Sequence, residues 1–204
     1  VYKRQIVMLN SGNLATTQQV VSRIQQHARE NGQPLTAHGS MFSVAELIGR
    51  ELRQTIALTL NEAPNQSDVD FSATFLVGGQ LKGEPPRLFL VYPQGNFIES
   101  TADTPFFQIG ESKYGKPILD RVIHPGISMS QAIKCALVSF DSTIKSNLSV
   151  GLPIDVALVK TNALGVSKRH RIDAEDTYFR ELRTSWSQGL RQVFGQLPDP
   201  DWLK

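Results

Sequence analysis

Four short apolar runs follow one another in the middle of this chain with no helix-period segment between them: Phe71–Val77, Leu88–Tyr92, Asn96–Glu99 and Phe106–Ile109. Gly, Pro and Asn separate them, as strands bounded by turns require. Pro93–Asn96 reads as a tight turn, so the second and third runs form a hairpin. Strands in succession, with helical patterns in pairs on either side, exclude alternating βαβ units. They call for antiparallel sheet covered by helices, an α+β layered sandwich. The element order read from the whole chain is β-α-α-β-β-β-β-α-α-β-α.

The flanking segments carry the helices. After an opening strand at Ile6–Leu9, Asn10–Gly12 offers turn and capping residues. Leu14, Val21, Ile24 and Ala28 then share a face, with Val20 beside it, until Gly32 and Pro34. Ser43 and Glu46 match a capping box ahead of Val44, Leu47, Ile48, Leu52, Ile56 and Leu60, and Asn61–Asp68 is the loop that ends this helix. Beyond the strands, Ser112–Val122 is a shorter helix interrupted by Pro117. Met129–Lys145 is a cleaner one, with Ser128 and Gln131 as its capping box. A strand at Ile154–Lys160, a polar, basic stretch at Thr161–Ile172 and a helix at about 174–196 complete the chain. A length of 204 residues suits one domain, and no linker divides it.

Composition excludes several classes of function. Lys and Arg number 21 against 19 Asp and Glu, and a net charge of +2 argues for neither nucleic acid nor acidic membrane as a partner. No apolar run approaches the roughly 20 residues of a membrane span, and no signal-peptide pattern opens the chain. The single cysteine, Cys135, rules out an internal disulfide and fits a reducing compartment. The expectation is a soluble, cytoplasmic protein. The four histidines show no H-x-x-x-H spacing, so neither metal nor other cofactor is called for. VGGQLKGEPP resembles a phosphate loop only in its glycines, because Pro85 and Pro86 bar the helix whose N-terminus would meet the anion. Cys135 beside an apolar stripe reads as a small hydrophobe, and Lys168–Arg171 as a solvated loop.

What remains are small residues where one element gives way to another: Ser11–Gly12, Ser112, and Ser146 with Ser149. Taken singly, capping and turn formation account for each of these.

The strings IVMLNSGNLAT, FLVGGQLKGEPPRLFLVYPQGNFIES, TPFFQIGESKYGKPILDR and KSNLSVGLPIDV together resemble the Anbu family, bacterial relatives of proteasome β-type subunits among the N-terminal-nucleophile hydrolases. The resemblance runs from Ile6 to about Lys160. It implies a four-layer αββα sandwich of two antiparallel sheets. It also implies peptide-bond hydrolysis by an N-terminal threonine, whose hydroxyl attacks while its α-amine takes the proton. A ring or open helical ring of identical subunits is implied too, with peptide or unfolded protein as substrate.

In the family the nucleophile, with its aspartate and lysine, precedes the strand that begins here at Ile6. The chain opens on Val1 rather than Met, and the expectation is a truncated copy whose first strands are missing. By the resemblance, Gly12 is the turn glycine whose amide helps form the oxyanion hole. Ser149 supports the nucleophile and its amine. Ser146 stands about where proteasomal subunits carry an aspartate, and Ser112 is near the remaining serine of the pattern. The leading reading is a threonine-type peptidase subunit lacking its nucleophile. The alternatives are a non-catalytic scaffold subunit and, with less support, a small-molecule-binding domain.

Overall fold

The computed structural model describes residues 5–62, 69–163 and 165–203. They form an α+β structure with two antiparallel sheets. The chain packs as two compact units, residues 1–110 with 157–169 and residues 111–156 with 170–204. Most of the loop expected at Asn61–Asp68 lies outside the described residues.

In the first unit, β1 (Gln5–Gly12), β2 (Ala73–Gln80), β3 (Arg87–Val91) and β4 (Phe97–Glu99) form one sheet in chain order. All three pairings are antiparallel. The period-2 alternation sorts the side chains. Ala73, Phe75 and Val77 of β2 and Phe89 and Val91 of β3 are buried on one face, while Thr74, Leu76, Leu88 and Leu90 are half-buried on the other. Helices α1 (Leu14–Glu30) and α2 (Met41–Glu62) cover the buried face with Val20, Ile24, Val44, Ile48 and Leu52. Gly49 of α2 meets Gly95 of the β3–β4 turn so closely that a Cβ on either would overlap the other's backbone. The absent side chains let helix and hairpin touch. Arg87 clamps Glu99 across β3 and β4 with two hydrogen bonds of 2.6 Å.

In the second unit, α3 (Lys116–Val122) lies against α4 (Met129–Ser146), and α4 and α5 (Thr177–Gly195) pack with Ile154 of β5 (Ile154–Leu158) and Ile172 of β6 (Lys168–Ile172). These two strands make the second sheet. Leu137, Ile154, Ile172 and Phe179 form its small apolar core. The carboxylate of Asp141, 1% exposed, receives Arg183 Nε at 2.6 Å, and Lys145 Nζ stands 3.1 Å from its other oxygen.

Several expectations are corrected. Helix α1 is capped by Asn13, whose side chain accepts from Thr16 N, because Asn10–Gly12 belong to β1. Its buried face carries Thr16, Thr17, Val20 and Ile24, and Leu14 is exposed. Helix α2 starts earlier than the Ser43–Glu46 box allows. Ser40 Oγ accepts from Ser43 N, and the Glu84 carboxylate accepts from Met41 N at 2.9 Å. Pro117 opens α3 rather than interrupting it, since a first-turn proline forfeits no helical hydrogen bond. Phe106–Ile109 takes no regular structure: a short apolar run reports burial, and burial alone does not make a strand. Lys168–Arg171 is strand, not loop. In VGGQLKGEPP, Gly78 and Gly79 lie inside β2, and a turn in which Glu84 N donates to Leu81 O carries the chain into β3 as a hairpin. By contrast, the hairpin around Pro93–Asn96 and both halves of the Ser128–Gln131 capping box are present.

Candidate functional site

The turn at the end of β1 is built from residues that pin one another. Asn13 N donates to Ser72 O at 2.8 Å, and its side-chain amide donates to Asp70 O at 3.0 Å. Thr16 Oγ1 donates to Phe71 O at 2.9 Å. Asp70 in turn accepts from the backbone and hydroxyl of Ser72 at 2.8 and 2.9 Å, which holds its carboxyl below the usual range. Gly12 sits at the centre of this knot with φ +102°, where an added Cβ would stand 2.5 Å from Ser72 O. Only glycine relieves both constraints. Gly110, at φ +80°, faces Ser11 across an ordinary van der Waals distance.

The second unit assembles the serines. Asn147, the residue that ends α4, donates from its side-chain amide to Glu111 Oε2 at 2.9 Å and accepts from Ser149 N at 2.8 Å. Glu111 Oε1 accepts from Lys113 N at 2.9 Å. The Lys113 amide first, and the Asn147 amide second, hold the Glu111 carboxyl below its ordinary value. This clasp joins residues 36 apart in sequence and fixes the start of the SNLSVG loop against the GES segment. Leu152–Pro153, further along that loop, is a cis peptide.

Of the expected site residues, Ser112 follows Glu111 directly, Ser146 is the last residue of α4 and Ser149 closes the turn on Asn147, so one clasp carries all three. Ser112 is half-buried and its carbonyl accepts from Lys116 N at 3.0 Å, while Ser146 and Ser149 are exposed. None of the three hydroxyls hydrogen-bonds to another described residue. Gly12 belongs to the other unit. Sequence reasoning missed Glu111 and Asn147. The N-x-S turn at Asn147–Ser149 could have flagged the asparagine, but nothing local points from it to Glu111.

Chemically, the arrangement is a support rather than a reactive couple. Glu111 is ionised, acceptor-only and engaged, and among the described residues no histidine or lysine is hydrogen-bonded to the hydroxyl of Ser112, Ser146 or Ser149. No group of three or more His, Cys, Asp or Glu among the described residues is placed to hold a metal. Among the described residues, no helix is long and apolar enough to cross a membrane.

A small helix-covered antiparallel sheet, a strained glycine turn and a serine-rich loop clasped at the end of a helix are parts of a proteasome-type fold. The family model described as "Proteasome subunit" matches residues 1–159, and the chain belongs to that family. Among solved structures it is similar to Anbu (ancestral beta-subunit) from Yersinia bercovieri, at 46% identity and a TM-score of 0.88 over 98% of this chain and 82% of that one. Anbu from Hyphomicrobium sp. strain MC1 is 45% identical with a TM-score of 0.88, over 98% of this chain and 83% of that one. The helical assembly of the Anbu complex from Pseudomonas aeruginosa contains a chain that is 45% identical with a TM-score of 0.90, over 97% of this chain and 81% of that one. The resemblance to Anbu therefore holds over nearly the whole chain. No curated protein matches it.

Proposed function

We propose that this chain is a subunit of a self-compartmentalising, threonine-type endopeptidase. Identical copies assemble as a ring or open helical ring, in the manner of the helical assembly of the Pseudomonas aeruginosa relative, and cut peptides or unfolded protein in the cytoplasm without a cofactor. The observation that carries the reading is about 45% identity to Anbu structures across almost all of the chain. The nucleophile is an N-terminal threonine on residues preceding those that match here. Its hydroxyl attacks the peptide carbonyl, its free amine takes the proton, and water later releases the acyl group. Gly12 lends its amide to the oxyanion, where one such donor is worth about 3–4 kcal/mol. Ser149, with Ser146 and Ser112, supports the threonine hydroxyl and amine. The Glu111–Asn147 clasp favours this role, because it fixes the loop without occupying the serine hydroxyls.

One observation favours a second reading, a non-catalytic scaffold subunit. Among the described residues no base is paired with the hydroxyls of Ser112, Ser146 and Ser149. The product of the complete gene separates the two. For the peptidase, the codons before Val1 encode a processed threonine followed by a strand bearing Asp and then Lys. Fluorogenic peptides are then turned over, and a threonine-directed covalent inhibitor adds its mass to the N-terminal residue. No turnover together with no labelling would leave the scaffold.

A further inference from the structure

Two surfaces of the second unit are apolar and carry opposite charges. One is a groove. Helices α3, α4 and α5 enclose a groove of about 550 Å³, walled by Ile118, Val122, Ile127, Val138, Leu182 and Trp186, with Lys134 at its polar rim. The other is the C-terminal segment. From Leu190 to the end of the chain every described side chain is exposed. Leu190, Val193, Phe194, Leu197 and Trp202 lie within that stretch, with Phe194 at 76% and Trp202 at 82% exposure. Large apolar side chains grouped in this way mark a contact surface. Asp199 lies among them, opposite in charge to Lys134.

The groove is out of reach of its own tail. Trp186 and Phe194 belong to the same helix, so Phe194 lies about 12 Å further along it, past the wall that Trp186 forms. A helical or ring assembly of identical subunits is built from head-to-tail contacts, which need two different patches on each copy. We propose that the segment from Leu190 to Trp202 of one copy docks in the α3–α4–α5 groove of the next. Phe194 and Leu197 enter the apolar wall, and Asp199 meets Lys134. This interface rests on the assembly part of the proposed function and assigns it to named surfaces. It makes no use of the serine loop.

Sedimentation velocity of the full chain and of two exposed-surface variants tests it. Val122→Glu places a charge in the groove at a position already 44% exposed, and Phe194→Glu does so on the tail. Each variant alone is expected to lose the larger species that the unmodified chain forms. Mixed one to one, they are expected to form a heterodimer, because one intact groove then meets one intact tail. A labelled peptide of residues 188–203 is expected to bind the unmodified chain saturably, and to bind Val122→Glu at least tenfold more weakly. Assembly of both variants like the unmodified chain, or absence of peptide binding, overturns the interface and leaves the assembly itself standing. An unmodified chain that stays monomeric overturns both the interface and the assembly, even where the peptide binds, because an intact tail and an intact groove then fail to join two copies.

Discussion

The two units hide their apolar residues to very different degrees. In the first, one sheet face and two helices close over thirteen buried residues, from Val20 to Val91. In the second, α4, α5, β5 and β6 share four, Leu119, Cys135 and Val138 are buried outside that cluster, and Asp141 of α4 is a buried carboxylate between two cations. The first unit achieves this because α1 and α2 lie on a four-stranded sheet whose alternation presents Ala73, Phe75, Val77, Phe89 and Val91 to one side. In the second unit α5 runs on beyond its packing partners, so its last two turns and the segment after them stay uncovered. A unit with a closed core is specified by its own packing. One with an open groove and an exposed apolar tail leaves apolar surface free for contact, and the proposed subunit interface uses that surface.

The contrast is broken first by a cavity. Phe75 is 1% exposed at the centre of the first core. Phe75→Ala should destabilise that unit by about 3–5 kcal/mol. Hydrogen exchange would show the loss in β2 and α2 while the amides of α4 keep their protection. Equal loss in α4 would mean that the two cores are one cooperative structure, and the contrast between them would fall.

Asp141 comes next. Removing one partner of a buried ion pair strands the other, which costs about 3–5 kcal/mol when the stranded charge is fully buried. The Arg183 side chain is about one-third exposed and can take up water, so Asp141→Ala should cost less, about 2–3 kcal/mol. Chemical denaturation read at Trp186 measures it. A change below 0.5 kcal/mol, roughly that of an ordinary surface substitution, would show that α4 and α5 are held by Leu137 and Phe179 alone.

Gly12→Ala is smaller. It forces a Cβ onto Ser72 O in a backbone region that L-residues avoid, at about 1–3 kcal/mol. The damage should stay at the β1–α1 turn, visible as faster exchange of the Asn13 and Thr16 amides with the β2–β3 pairing unchanged.

These positions also show what a single sequence can display. Local, self-contained chemistry was readable. The Pro93–Asn96 turn and the Ser128–Gln131 box each need only a few consecutive residues, and both are present. The proteasome-type fold was readable through whole strings such as GESKYGKPILDR, with their resemblance to Anbu. Choices settled at long range were not. Thr16 and Thr17 are buried in preference to Leu14 because they bond to Phe71 and Asn13, and helical period alone cannot see a partner 55 residues away. The basic strand β6 buries only Ile172, so its sequence shows no alternation to read. The site divides in the same way. Gly12 and the serines stood out as turn residues, whereas Glu111 and Asn147, which hold the loop, become a pair only when α4 ends beside the GES segment.

The clasp also gives the finest test of that divide, through pH. The Glu111 carboxyl is held below its ordinary value of 4.5 by the amides of Lys113 and Asn147, which favour the ionised form. A folded-state value lowered in this way contributes stability that is present in full above about pH 4.5 and fades as pH falls through the lower folded value. Acid should therefore loosen the SNLSVG loop as Glu111 takes up its proton. Glu111→Gln keeps a hydrogen-bond acceptor but removes the titration, so its stability curve should lack that acid-side decline while matching the unmodified chain near neutrality. Asn147→Ala removes the second-largest of the stabilising donors, after the Lys113 amide and ahead of the Ser112 amide, and should raise the Glu111 value toward 4.5, moving the decline to higher pH. Carboxyl-carbon NMR of Glu111 follows this directly. An unchanged titration in Asn147→Ala would mean that the local groups of Lys113 and Ser112 suffice and that the 36-residue clasp does not order the serine loop.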